Sequence, residues 1–134
     1  MIFILSFLLS WLSGMFVILV FAFIPYEHFS IVDITGFAVL TFAISLLIVP
    51  ILYQLALNVL RKWLNGRNPF IYYPVILNLL VNLPVYFIIW QKFDGLYGRD
   101  EAILFTLCFI SIASVFGLCM AWKTKTDRLK MKNI

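Results

Sequence analysis

Four apolar runs separated by short polar stretches set the pattern of the chain. The first, residues 2–24, carries no charge and stops at Pro25, whose missing N–H suits a helix boundary. The second, residues 34–60, is about 40 Å long as a continuous helix, more than a hydrocarbon core of about 30 Å requires. It must tilt, bend or protrude, and Pro50 supplies the bend by removing one backbone hydrogen bond and freeing the carbonyl of Leu46. The third, residues 71–90, has Pro74 in its first turn, where proline is tolerated, and Pro84 in its interior, where a kink is expected. The fourth, residues 102–122, leads into a basic tail, residues 123–134. Each run is about 20 residues or longer, enough to cross a bilayer as a helix. The pattern predicts an all-α polytopic membrane protein, a single domain of four transmembrane helices in an up-down-up-down bundle.

The connections fix an orientation. Residues 61–70, RKWLNGRNPF, contain the turn pairs Asn65-Gly66 and Asn68-Pro69 and read as a tight hairpin. Residues 91–101 are charged, mixed in sign and rich in glycine. Lys and Arg number three in the hairpin, two in residues 91–101 and five in the tail, with none before the second run. An up-down bundle therefore puts eight basic side chains on one face and two on the other, and the richer face belongs in the cytoplasm with both termini. Trp63, Trp90 and Trp122 fall at run ends, where an indole is both apolar and able to hydrogen-bond at the headgroup level.

Composition narrows the function classes. Of 134 residues, 64% are hydrophobic and 12% charged, against about 25% charged in a soluble domain. Four spans leave no room for an appended enzyme domain or a nucleic-acid-binding domain. The net charge of +4 belongs to the membrane surface, since all ten basic residues lie outside the apolar runs. The expected partners are the lipid bilayer and, at the basic tail, anionic headgroups, which attract each lysine by about 1 kcal/mol. Nothing before Ile24 is basic, so the first run reads as a span rather than a cleaved signal peptide.

The runs contain no Asp, Glu, Lys, Arg or His. Proton relays, voltage sensors and counter-ion sites place such a residue at depth, so none is expected here. His28, between Glu27 and Phe29 and near Asp33, is too poor in ligands for a metal site of known geometry. Cys108 and Cys119 are eleven residues apart within one run, neither a redox pair nor a disulfide framework, and read as packing residues. Serines at depth have no His or Lys to activate them, and no phosphate-binding glycine loop is present. The chain is expected to be neither an enzyme nor a cofactor binder.

Two polar patterns remain. Gln54 and Asn58 in the second run, and Asn78 and Asn82 in the third, are pairs at i, i+4, each on one helical face. Counting from the hairpin brings Gln54 level with Asn78, predicting a hydrogen bond across the helices. Asn82 has no such partner, and either bonds to its own helix or faces a polar cavity near Pro84. The alternative for this amide ladder is a substrate path, since broken helices at mid-depth are how transporters build their sites. The second pattern is small residues every fourth position: Ser6, Ser10 and Gly14 in the first run, and Ala113, Gly117 and Ala121 in the fourth. Such stripes let helix backbones approach closely, predicting that the first and fourth spans pack through them.

The uncharged first span, the FIPYEHF exit, the RKWLNGRNPF hairpin, the YYPVILNLLVNLP stretch and the lysine-rich tail together resemble an uncharacterised family of small four-span bacterial membrane proteins, the YoaG-like proteins. The resemblance covers the whole chain and implies a multi-pass protein of the bacterial cell membrane, with no site residues to transfer. Small multidrug-resistance exporters, of similar size, rely on a glutamate within the first span, whereas Glu27 lies beyond Pro25. The leading expectation is a non-enzymatic accessory or interaction protein, partnered by another membrane protein or by itself and not by nucleic acid. The alternative is a small transporter or pore formed by oligomerisation.

Overall fold

A computed structural model describes residues 2–23, 31–63, 68–93 and 99–132, all of them helical except Asn68. Helix α1 spans Ile2–Phe23. Helix α2, Ile31–Leu47, passes through a π-helical segment, Ile48–Tyr53, into α3, Gln54–Trp63. Helix α4, Pro69–Ile76, passes through a second π-helical segment, Leu77–Asn82, into α5, Leu83–Phe93. Helix α6 is a single element of 34 residues, Arg99–Lys132. The architecture of the described residues is thus all-helical, and among them three stretches are long and apolar enough to cross a membrane: Ile2–Val20, Ala38–Trp63 and Ile103–Lys132.

Both π-helical segments are explained by proline. Pro50 lies within the first, and Pro84 follows the second by two residues. A proline offers no N–H to the preceding turn and its ring crowds the carbonyl four residues back; shifting to the wider i→i+5 pattern relieves that crowding without breaking the helix. The bends expected from sequence therefore take the form of widened turns. Pro74 differs from its expected place: α4 begins at Pro69, so Pro74 lies in the second turn rather than the first.

The hairpin is tighter than residues 61–70 suggested. Helix α3 continues to Trp63, and Asn68 caps α4, its Oδ1 accepting from the Phe70 N–H at 3.2 Å with Pro69 in the first turn. Residues 64–67 lie outside the described residues, as do residues 24–30 and 94–98. The basic tail is not a separate segment either. Ten residues from Lys123 to Lys132 continue α6 by about 15 Å, with Lys130 and Lys132 complementing the negative end of the helix dipole.

Helix α6 is the hub. Half of its apolar window is buried, against 28% for α1 and 22% for the helix through Pro50. It packs along α1 on one side and along α4, the second π segment and α5 on the other, while α2 packs on α1. Contacts along each seam run in opposite directions. On the α1 side Phe3 meets Phe116 edge-on at 5.8 Å, while Gly14 lies against Ile112 and Cys108. On the α4 side Tyr73 meets Thr124, Asn78 meets Ser114 and Trp90 meets Thr106. Phe116 also packs on the Tyr53 ring at 5.8 Å, so one fully buried side chain joins α1, α6 and the first π segment. On α2, Phe42 stacks edge-on against both Phe7 and Trp11.

Candidate functional site: a polar cluster between the two π-helical segments

The buried face of the helix through Pro50 reads Thr41, Ser45, Val49, Tyr53, Leu57, every fourth residue. Gln54 and Asn58 each follow a member of that row by one position, so they are rotated about 100° away from the core. Asn58 is exposed and Gln54 is half-buried. This overturns the expected bond between Gln54 and Asn78. Among the described residues Gln54 Oε1 is buried without a hydrogen-bond partner.

The inward position belongs to Tyr53. Its hydroxyl donates to Asn82 Oδ1 at 2.6 Å, linking the last residues of the two π segments. Asn82 Nδ2 donates to Asn78 Oδ1 at 3.2 Å and to the Phe109 carbonyl of α6 at 3.1 Å. Asn78 Nδ2 donates to the Pro74 carbonyl at 2.9 Å and to Ser114 Oγ at 3.2 Å, and the Tyr86 hydroxyl approaches Asn78 Oδ1 at 3.5 Å. Asn78 thereby fills both donor and both acceptor positions, and Asn82 fills three of its four. Asn82 does bond to its own helix, through the Asn78 side chain one turn back rather than through the backbone. It is fully buried rather than facing an open cavity, and it ties three helices together.

Tyr53, Tyr86 and Ser114 were not among the residues singled out from sequence. Tyr86 continues the four-residue spacing of Asn78 and Asn82, which is a readable signal. Tyr53 carried a weaker one, its spacing from Ser45 and Val49 along a single helical row.

The small residues serve close approach, on two different seams. Ser6, Ser10, Gly14 and Ile18 form the buried row of α1. The serine hydroxyls donate within their own helix, Ser6 to the Ile2 carbonyl at 2.7 Å and Ser10 to that of Phe7 at 2.8 Å, so size rather than bonding capacity is what they contribute to packing. A methyl group at Gly14 would stand 2.8 Å from Ile112 Cγ1 and 3.0 Å from Cys108 Sγ. The Cys108 thiol uses that opening to donate to the Gly14 carbonyl at 3.2 Å.

Gly117 instead faces α4, where a methyl group would stand 2.7 Å from Pro74 N and 2.9 Å from Pro74 Cα. The expectation that the α1 and α6 stripes meet each other is corrected accordingly. At Gly14 the α1 row receives the bulk of Ile112, and at Gly117 the small row of α6 receives the backbone of α4. Pro74 suits this role because a backbone without N–H can be packed against without orphaning a donor. Ala113 and Ala121, both fully buried, lie in the row of Gly117.

No three His, Cys, Asp or Glu side chains lie together among the described residues. Glu27 and His28 lie outside the described residues, Cys108 is buried, and Cys119 is half-buried and unpaired. No protein-family model, curated protein or solved structure matches the chain.

Proposed function

We propose that the chain is a four-span protein of the bacterial cell membrane, of the kind its resemblance to the YoaG-like proteins implies, acting without catalysis as an accessory or interaction partner of another membrane protein. In this reading it crosses the bilayer up, down, up and down, with both termini cytoplasmic. The 25 residues from Pro69 to Phe93, about 37 Å of helix, supply the fourth crossing beside the three long apolar stretches. Support for the orientation comes from the basic residues that share one end of the bundle. Arg61 at the end of α3 lines a recess with Thr124 and Arg128 of α6, and Lys125 Nζ lies 5.7 Å from the centre of the Phe70 ring at the start of α4.

The observation that carries the accessory reading is that the polar cluster is bonded internally, with all four positions of Asn78 and three of the four of Asn82 filled from within the chain. Tyr53, Asn78 and Asn82 spend their hydrogen bonds on one another, on α6 and on the Pro74 carbonyl and Tyr86 hydroxyl, with Tyr53 and Asn82 fully buried and Asn78 half-buried. A path for solutes needs polar groups turned to an opening. One observation favours the alternative of a transporter or pore built from several copies: α3 turns the Asn58 amide outward, where a second copy could pair with it. Affinity purification of the tagged chain in mild detergent, with measurement of particle mass, separates the two. A stable complex with a different membrane protein supports the accessory role; a homo-oligomer that loses its mass on Asn58→Leu supports the pore.

A further inference from the structure

Where the first turns of α1, the start of α4 and the last third of α6 converge, the surface opens into a groove of about 630 Å³. Its walls are apolar: Ile2, Leu5 and Leu9 on α1, Leu118 and Trp122 on α6. Ser6 also faces it, but its hydroxyl is engaged by the Ile2 carbonyl. At one end the groove meets the polar extension of α6, where Lys123, Thr126, Asp127 and Lys130 form a rim. Lys123 directly follows the interfacial Trp122, and Lys130 stands about 10 Å farther along the axis, on the same face.

An apolar slot ending in a charged rim matches an amphiphile with one end in hydrocarbon and the other in water. The charges on the rim decide its class. Two ammonium groups stand against one carboxylate, which also faces Arg61 and Arg128 in the neighbouring recess, so the rim is net positive and favours a headgroup with a net negative charge. A zwitterionic headgroup would leave that charge uncompensated.

We infer that this groove binds one anionic phospholipid, with phosphatidylglycerol chemistry. An acyl chain lies against Ile2, Leu5, Leu9 and Leu118, the phosphodiester sits at Lys123 with Lys130 above it, and a headgroup hydroxyl donates to Asp127. The assignment rests on α1 and α6 lying in a bilayer, and is independent of whether the protein is an accessory subunit or a pore.

The test uses the full chain purified in non-ionic detergent, with lipid affinity read from the rise in thermal midpoint on titration with phosphatidylglycerol, phosphatidylethanolamine or inorganic phosphate. Phosphatidylglycerol should bind more tightly than phosphatidylethanolamine, and phosphate alone should have no effect. Lys123→Gln should weaken phosphatidylglycerol about fivefold, as should Lys130→Gln, the contribution of one lysine at a membrane surface. The thermal midpoint without added lipid should hold in both variants, showing that they fold. Lys132→Gln, on the same helix but outside the groove, should change nothing. Equal binding of the two lipids, protection by phosphate alone, or an equal loss in Lys132→Gln and Lys123→Gln would each overturn the site. A chain that needs no detergent to stay in solution would overturn the membrane reading beneath it.

Discussion

The Tyr53 hydroxyl donates a 2.6 Å hydrogen bond to Asn82 Oδ1, and the two residues close the first and second π-helical segments respectively. Each segment adjoins a proline, so the places where the backbone is least regular are joined by a short side-chain bond. Breaking that bond should loosen both bends together.

A double-mutant cycle with Tyr53→Phe and Asn82→Leu should therefore show a coupling between about 0.6 and 1.7 kcal/mol, the average and upper values for hydrogen bonds within membranes. Asn82→Leu alone should cost about 1–3 kcal/mol, because it strands the buried Tyr53 hydroxyl and removes a tie to α6. Unfolding in mixed micelles measures both. Independent effects of the two changes would show that the bond contributes nothing to stability.

Three glycine-to-alanine changes should rank by what each new methyl meets. Gly117→Ala drives a methyl into the backbone of Pro74, which has nowhere to go, and should cost about 3 kcal/mol. Gly14→Ala meets the buried side chains of Ile112 and Cys108 at 2.8–3.0 Å rather than a backbone, and should cost less, about 1–2 kcal/mol. Gly36 has open space around it, so alanine there should gain up to about 1 kcal/mol from helix propensity. Thermal midpoints of the three proteins in one detergent give the order, and a harmless Gly117→Ala would remove the close approach of α4 to α6.

Gln54→Leu should be neutral or stabilising by about 1 kcal/mol, since it deletes a buried oxygen that has no partner among the described residues. A loss of stability in the isolated protein would mean that Gln54 has an intramolecular role. A loss confined to co-purification with another membrane protein would identify Gln54 as part of the contact surface.

Orientation is tested by impermeant thiol labelling of intact cells in a background lacking Cys108 and Cys119. A cysteine at Ser30 should react and one at Asn65 should not, both positions lying outside the described residues. The reverse pattern would invert the assignment of the basic face to the cytoplasm.

The hydrophobic runs made the helices legible, because long uncharged stretches have few other solutions in lipid. The prolines marked the two bends, since a missing donor is a local fact. What the sequence did not reveal was rotation. Gln54 and Asn58 look like the polar face of their helix, yet the four-residue row through Val49 and Tyr53 fills the core, and a single-position offset turns the amides away. Choosing between adjacent rows depends on which neighbour fills the gap, and Phe116 does so from another helix. The small stripes were visible as stripes, but which helix each one receives is likewise decided by the partner. Gly117 meets α4 because Pro74 presents a backbone that fits it.

Helix α6 supplies the acceptor at Phe109, the hydroxyl at Ser114, the bulk that fills the Gly14 notch and the notch that receives Pro74. It is also synthesised after every element it joins. Until α6 is made, α1 and α4 have the surfaces that receive it uncovered, and Asn78 and Asn82 lack their bonds to Ser114 and Phe109, keeping those to each other, to Tyr53, to Tyr86 and to the Pro74 carbonyl. Assembly is thus concentrated in one late event. A helper that shields the two asparagines during that interval would act on the nascent protein alone and have no contact left to make with the finished one.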